Sequence, residues 1–439
     1  MPQIRPFRAL RYASDTIADP GMVVAPPYDV LTAADRARYL ARDPRNVVRL
    51  DAPIEEPGDA EDDRYRRAAR TLAGWRSDGT LHKDPRPSIY VHEQIYRVPG
   101  TDVERTQRGF FARLRLEPLE PGSGVLPHER TLAVAREDRY RLLRATGVNT
   151  SPVIGLYDDP SGRAGDILAT LAVGSAAIDV VDDEGVHHRL WVVPADGPAR
   201  DAVEELTAIA AAEPVTIADG HHRYETALRY RNERRMSRSC EEDPAFDYLL
   251  MLLVETTQSL TILPTHRLVA GLNDGGVSRL QAGLDDLFVV SPAGRDELLA
   301  RFGGAAGREG GDGRFGLWTR GGGALLIARR VAFEPYLPTG GPALRRLDVT
   351  LLGAALERLA GIDPAAVAAG GRLSFTKSAA EALDAVDAAR DGVDAAFLLD
   401  PTPVASIAAV AADGDVMPQK STYFYPKALT GLVINPLEW

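Results

Sequence analysis

Apolar residues recur along this chain with two periods, one typical of strands and the other of helices. Alternating or short continuous apolar runs predict strands over 88–96, 108–116, 151–157, 187–193, 214–218, 248–254, 261–267, 315–318, 325–328 and 395–399. Helical spacing predicts helices over 33–41, 64–75, 132–146, 343–359 and 379–389, and a further helix from 224. The sequence therefore predicts an α+β protein of mixed α/β character, in which 248–254 and 261–267 continue one sheet.

Proline and glycine mark where several of these elements should begin and end. Pro26 and Pro27 force an extended path, and Thr32 is typical of a residue that caps the start of a helix. Ten glycines between 303 and 323 predict hairpin loops. Their spacing is not that of a dinucleotide or phosphate-binding glycine loop.

The chain of 439 residues is long enough for two or three domains. We divide it into an N-terminal α/β segment of a core (1–120), the catalytic part of that core (121–270) and a C-terminal α+β domain (271–415). Residues 416–439 form a tail that we expect to pack back on the core.

Composition excludes several classes of protein. The net charge is −11 and no long basic run occurs, which disfavours nucleic-acid binding because phosphate neutralisation needs clustered Lys and Arg. The single cysteine, Cys240, excludes a disulfide or a cysteine-based zinc site within one chain. We find no apolar stretch long enough for a membrane span and no signal-peptide core, so we expect a cytoplasmic protein. The oligomeric state is not fixed by the sequence.

The densest chemistry lies between the strand at 214–218 and the helix predicted from 224. Asp219, Gly220, His221, His222 and Arg223 occupy this strand-to-helix turn. Free N–H groups at a helix start favour an anion, and the guanidinium of an arginine suits phosphate. An aspartate there can hold Mg²⁺ or accept a proton. The alternative is a solvated turn with surface charges.

Six of the eight histidines fall between 128 and 266, which favours an active site in this part of the chain. His128 and Glu129 precede a predicted helix and are, with Asp219, the candidate catalytic residues. His266 stands at a strand end, where it either serves the site or bonds a backbone carbonyl. Tyr28 and Asp29, like His266, have either a structural or a functional role. Asp29 either caps the helix near Thr32 or holds a site residue.

The segment 417–427 carries three aromatic residues and two lysines, which is unusual for a chain end. It either packs as a structural plug or returns to the site. In the second case Lys420 and Ser421 would donate hydrogen bonds to a phosphate.

Five segments resemble the bacterial and archaeal family catalogued as domain of unknown function 1015. They are 25–30, 127–131, 217–228, 263–268 and 417–427, in the family's order. The chain is identified as a member of that family, whose name records no activity.

The Asp-Gly-His-His-Arg run from Asp219 is similar to a motif of free serine kinases in the ParB–sulfiredoxin superfamily. The resemblance implies a ParB/sulfiredoxin-like mixed-sheet core over 121–270, with a turn that contacts the phosphates of ATP or ADP. It implies a catalytic role for Asp219 beside a glutamate from another segment. Glu129 is our candidate for that glutamate because it lies beside His128 at a helix start.

These observations predict phosphoryl transfer or phosphate-ester hydrolysis on a small hydroxylated metabolite, with serine or phosphoserine as the best single candidate. Kinase and phosphatase would use the same residues, and Mg²⁺ is expected at Asp219. One alternative is a metal hydrolase, for which the ligands would be His128, Glu129, His221, His222 and His266. Another is a non-enzymatic nucleotide-binding switch, although no basic DNA-binding module is seen.

Overall fold

A computed structural model of the chain describes residues 1–120, 122–129, 133–237, 242–258, 260–304 and 310–439. Residues 130–132, of which 130 and 131 belong to one of the family-like segments, and Cys240 lie outside the described residues.

The described strands are distributed over the whole length of the chain. In chain order they are β1 Ile4–Arg5, β2 Leu10–Tyr12, β3 Leu81–Lys83, β4 Ser88–Arg97, β5 Glu104–Arg115, β6 Val125–Leu126, β7 Val148–Asn149, β8 Val153–Tyr157, β9 Ile178–Val181, β10 His187–Pro194, β11 Val215–Asp219, β12 Tyr248–Glu255, β13 Thr261–Leu263, β14 His266–Ala270, β15 Phe288–Ala293, β16 Arg314–Thr319, β17 Gly322–Ala328, β18 Leu373–Thr376, β19 Val393–Leu399, β20 Tyr423–Tyr425 and β21 Asn435–Pro436.

The described helices lie between these strands. They are α1 Ala33–Arg42, α2 Val48–Asp51, α3 Asp63–Ser77, α4 Ala133–Thr146, α5 Arg163–Leu171, α6 Arg200–Ala210, α7 His221–Ser237, α8 Asn273–Ala282, α9 Leu284–Leu287, α10 Arg295–Phe302, α11 Arg330–Phe333, α12 Pro342–Arg346, α13 Asp348–Ala360, α14 Pro364–Ala369, α15 Ala379–Asp387 and α16 Val404–Ala412. Short 3-10 turns occupy Pro20–Met22, Tyr28–Val30, Ala245–Asp247, Glu334–Tyr336 and Arg390–Gly392. Within the described ranges, none of the helices combines the length and the apolar character needed to cross a bilayer.

The larger sheet has the strand order β6-β11-β8-β12-β5-β4-β10-β9, with β1 also paired to β5. It is mixed, because β12 runs parallel to β8 while β4, β5 and β12 are antiparallel neighbours. Adjacent residues such as Phe110 and Phe111 on β5 enter different apolar clusters, as strand alternation requires. Helices α4 to α7 cover one face of this sheet.

The second sheet is antiparallel, with the order β15-β17-β16-β19-β14-β18. The prediction that 261–267 continues the first sheet is wrong. Strand β13 instead pairs with β20 of the tail, and β14 joins the second sheet. Pro264 lies between β13 and β14, and its missing N–H donor interrupts a ladder at this point. The mixed α/β core with a C-terminal α+β part is confirmed, while the domain limits at 120, 270 and 415 stay predictions.

Local signals placed the starts of several helices correctly, among them α1, α3 and α15. Thr32 caps α1 in a reciprocal capping box with Asp35, as its sequence position predicts. Ala68, Leu72 and Trp75 are buried along one face of α3. The glycine-rich segment forms the β16–β17 hairpin in its described part.

Candidate functional site

The strand β11 passes into helix α7 through one residue, Gly220. Its φ of +91° lies in the left-handed region that favours glycine. A Cβ atom there would also lie 3.0 Å from Cζ of Arg223, so the guanidinium packs directly over this glycine. The bond from Tyr224 N to Gly220 O closes the first helical turn at 3.0 Å. Helix α7 therefore begins at His221, three residues before the predicted start.

Asp219 is held between two cations at the end of β11. Arg223 Nη2 donates to Oδ2 at 2.5 Å, and Lys427 Nζ donates to Oδ1. The side chains of Asp219 and Lys427 are each 13% exposed and that of Arg223 12%. Burial alone would raise the pKa of Asp219, but Lys427 and Arg223 together hold this pKa well below its usual range. Asp219 is therefore ionised at neutral pH.

The Arg223 guanidinium contacts protein acceptors in this structure. Its Nη1 donates to the carbonyl of Pro152, and its Nη2 to Asp219. Both terminal nitrogens are thus bound to protein acceptors, which makes Arg223 a residue that positions Asp219. A phosphate contact by Arg223 stays a prediction that requires these bonds to rearrange.

His128 and His221 form a buried pair beside this centre, with ring centroids 4.6 Å apart. His128 Nδ1 donates to Ile217 O at 2.5 Å, so its Nε2 accepts from the Thr422 hydroxyl at 2.9 Å. His221 Nε2 accepts the backbone N–H of His128 at 3.2 Å. Both rings are therefore placed as neutral imidazoles that connect β11, α7 and the tail.

Glu129 anchors the tail rather than standing free in the site. Its carboxylate accepts the backbone N–H groups of Lys420 at 2.7 Å and Ser421 at 3.3 Å. The Ser421 hydroxyl donates to Pro418 O at 2.6 Å and is buried. Ser421 therefore stabilises the conformation of the tail in this arrangement, while the side chain of Lys420 is exposed.

Lys427, the partner of Asp219, lines a cleft of about 630 Å³. Its basic lining residues are Arg38, Lys377, Lys420 and Lys427, and its aromatic ones are Tyr39, Phe375 and Tyr423. Its acidic lining residues are Asp29, Asp35, Asp182, Asp183, Glu184 and Glu381. Tyr28 lies beside the cleft with the Arg139 guanidinium 3.9 Å over its ring. His222 lies near Lys420, and burial followed by that charge lowers the pKa of His222.

Lysine is rare in this chain, and most of the lysines lie at the cleft. Only four of the 51 Lys and Arg residues are lysines. Three of the four, Lys377, Lys420 and Lys427, line the cleft. Lys427 was not among the predicted site residues, although this uneven use of lysine is a signal in the sequence that indicates it.

The structure does not join His266 to the site. His266 lies on β14 in the second sheet, where Nδ1 accepts the backbone N–H of Leu399 at 3.3 Å. Its Nε2 is buried without a hydrogen-bond partner among the described residues. The charges of Glu129 and Asp219 both act on His128, whereas the described contacts of His266 lie in the second sheet.

The residues present do not fit a magnesium ion held by Asp219, because both of its oxygens already bind cations. Across the described ranges, no group of three or more His, Cys, Asp or Glu side chains is arranged to hold a metal. His128 uses both ring nitrogens in hydrogen bonds, which does not fit the metal-hydrolase alternative. An ion that enters with a nucleotide takes most of its ligands from phosphate and water, so magnesium stays a prediction tied to the nucleotide.

The buried histidines should make stability depend on pH between about 5 and 7. Burial lowers the pKa of His128 and His221, and lowers that of His266 to about 3. The unfolded chain takes up these protons near pH 6.5, so stability is complete above about 6.5 and is lost as pH falls. Each histidine changes the free energy of unfolding by up to about 1.4 kcal/mol per pH unit. Asp219 adds nothing in this window, because its depressed pKa matters only below about pH 4.

Urea unfolding at about pH 7.5 and 5.5 measures this dependence. The free energy of unfolding should differ less between the two pH values in His128→Gln, because one of the titrating histidines no longer contributes to the difference. Equal free energies of unfolding at both pH values would contradict the placement of neutral histidines in the core.

Glu129→Ala should loosen the tail, because two backbone donors lose a charged acceptor. Hydrogen bonds to charged groups contribute about 1.5–3 kcal/mol each. We expect hydrogen exchange at 418–422 to become at least about tenfold faster, since 1.4 kcal/mol is a factor of ten in an opening equilibrium. Glu381→Ala is the matched control, because Glu381 lines the same cleft and bonds Thr376 instead. Unchanged exchange at 418–422 in Glu129→Ala would refute the anchoring role.

The comparisons with known proteins identify the family. The chain belongs to the family described as protein of unknown function (DUF1015), whose model matches residues 4–350. The matched range includes Glu129 and Asp219 but ends before the tail residues Lys420 and Lys427. Among curated proteins no match is found.

Solved structures similar to the chain have low sequence identity. A conserved hypothetical protein from Pyrococcus furiosus is 11% identical, with 69% of this chain and 87% of that chain covered and a TM-score of 0.35. A free serine kinase in complex with AMP is 13% identical, with 75% and 90% covered and a TM-score of 0.36. C-terminally truncated SbnI from Staphylococcus aureus is 11% identical, with 72% and 84% covered and a TM-score of 0.36. The expected resemblance to free serine kinases is confirmed among these matches, but such TM-scores assign no activity or ligand to this chain.

Proposed function

We propose that this protein transfers a phosphoryl group to or from a small hydroxylated metabolite, with serine or phosphoserine as the first candidate. It would act as a kinase that uses ATP or ADP, or as a phosphatase. The observation that carries the proposal is the ionised Asp219 paired with Lys427 at the edge of a lysine-lined cleft.

Phosphoryl transfer needs positioning and charge neutralisation more than covalent chemistry by the protein. Lys420 and Lys427 come from one segment and line the same cleft. A lysine ammonium binds phosphate as a point charge and can follow it as the reaction proceeds. Helix α7 begins at His221, two positions after Asp219, so its positive dipole end lies beside this carboxylate.

Asp219 is the proton acceptor in this proposal, and it becomes a stronger base when phosphate enters the cleft and draws Lys427 away. In the free protein Lys427 and Arg223 keep Asp219 a weak base. If Lys427 moves to an incoming phosphate, Asp219 loses its main stabilising cation and its pKa rises. Asp219 then accepts the proton of the substrate hydroxyl while that oxygen bonds to phosphorus and the bond to the leaving group breaks. In the phosphatase direction the attacking hydroxyl belongs to water.

A phosphorus-31 NMR panel tests this proposal. The protein is incubated with Mg²⁺ and either ATP or ADP plus serine, or with phosphoserine alone. Phosphoserine formed from a nucleotide indicates a kinase, and inorganic phosphate released from phosphoserine indicates a phosphatase. Nucleotide binding without turnover would support the switch alternative, and neither turnover nor binding of any phosphate compound would refute the proposal. Asp219→Asn serves as the inactive control.

A further inference from the structure

The C-terminal part contains a second cavity, of about 220 Å³, that the proposed chemistry does not use. Helix α13 forms one side, and strand β18 and residues 416–419 of the tail form others. Most of its lining is apolar and includes Leu344, Val349, Leu356, Ile362, Val367 and Leu373. The cavity is therefore suited to an apolar molecular body.

The polar part of the lining includes Gln419 and the exposed carboxylate of Glu357. Two further polar side chains of the lining, those of Arg267 and Thr350, are buried. Arg267 is 4% exposed and its guanidinium lies over the Phe375 ring at 4.9 Å. Among the described residues, its Nη1 donates to two neutral acceptors, the carbonyl and hydroxyl oxygens of Thr265. Thr350 as a residue is 3% exposed, and its buried hydroxyl has no hydrogen-bond partner among the described residues.

A buried arginine normally has a carboxylate in direct contact, because desolvation of an unpaired charge is costly. The carboxylate that acts on Arg267 is Glu129, which already accepts two backbone N–H groups of the tail. Burial lowers the pKa of Arg267 to about 10. An anionic group inside the cavity would supply the missing counter-charge.

We propose that this cavity binds a monocarboxylate with a short apolar chain, with the carboxylate at Arg267 and Thr350 and the chain among the aliphatic residues. The volume equals that of about seven water molecules, which suits a ligand the size of hexanoate. The site is distinct from the cleft, although Leu373 and Phe375 line both spaces. The proposal does not depend on phosphoryl transfer, because binding is measured directly.

Calorimetric titration of the full chain with hexanoate, hexan-1-ol and hexylammonium tests the chemistry. Hexanoate should bind once per chain with a Kd on the order of 1 mM or below. Hexan-1-ol should bind at least about tenfold more weakly because it lacks the charge, and hexylammonium should not bind. Equal binding of the acid and the alcohol, or no binding of hexanoate up to about 10 mM, would overturn the proposal.

Gly353 allows the location to be tested without touching Arg267. It lines the cavity on α13, and a Cβ added there meets no atom within 4 Å. Gly353→Leu should fill the space and abolish hexanoate binding, whereas Gly353→Ala should retain most of it and raise stability through helix propensity. Arg267→Met should weaken hexanoate at least about tenfold and leave hexan-1-ol unchanged. Full hexanoate affinity in Gly353→Leu would show that the acid binds elsewhere and would refute the proposal.

Discussion

Replacing Asp219 by Asn should lower the rate of phosphoryl transfer by about 10²–10⁴-fold, the range expected when a positioned proton acceptor is lost. The amide keeps the shape of the side chain but carries no charge. It therefore neither accepts the substrate proton nor holds Lys427 in place. The rate is measured with the best substrate of the phosphorus-31 panel, at saturating nucleotide.

The same change should also reduce stability, because Lys427 and Arg223 would lose their common counter-charge in a buried position. Breaking a buried ion pair from one side costs about 3–5 kcal/mol. Asp84→Asn is the matched control, since Asp84 is buried and pairs with Arg11 away from the cleft. That variant should lose stability while its rate follows the folded fraction alone. If Asp219→Asn behaves in the same way, Asp219 has only a structural role.

Lys427→Ala should weaken the binding of ADP or inorganic phosphate by about 10–100-fold, which corresponds to the loss of a hydrogen bond to a charged group. Lys427→Arg should restore part of the affinity, because the charge is kept while the geometry changes. Binding is measured by calorimetry at two salt concentrations. The salt dependence should be weaker in Lys427→Ala, since one charge contact to phosphate is missing.

Lys83 provides the matched control for this experiment. It is the one lysine outside the cleft, its side chain is 18% exposed, and it bonds Trp439 O at 2.6 Å. Lys83→Ala should leave phosphate affinity unchanged. Equal affinity in Lys427→Ala and Lys83→Ala would remove Lys427 from the phosphate site.

The local part of this site was predictable because its signals lie within a few residues of each other. The sequence predicts a tight turn here, because a single glycine separates a buried strand from a helix. Gly220 has the positive φ that such a turn requires. The start of α7 was misplaced because histidines are weak helix formers, so the apolar pattern became visible only from Tyr224. The bond to Gly220 O, which the pattern does not report, extends the helix to His221.

The contacts across the site were not predictable, because they join residues far apart in the chain. Lys427 reaches Asp219 over 208 positions through the pairing of β20 with β13. That pairing depends on how the tail packs, and periodicity within a segment carries no information about it. The bond from Arg223 to the carbonyl of Pro152 was not predictable for the same reason, because the two residues are far apart in the chain.

His266 illustrates the limit of clustering along a sequence. Its position between two apolar runs is typical of a strand end, as expected of a site residue. The chain, however, changes sheets at Pro264 and Thr265, and β14 pairs with β18 and β19. His266 therefore lies in the second sheet, beyond the interruption of the strand at Pro264.

The most direct test of the central claim is an NMR titration of protein labelled only at lysine, with ADP or inorganic phosphate as the probe. The four lysines should give four resolved side-chain signals. We predict that the signals of Lys420 and Lys427 shift and saturate together, while the signal of Lys83 stays unchanged. Binding of the probe without any change at Lys427 would contradict a phosphate site built around the Asp219–Lys427 pair.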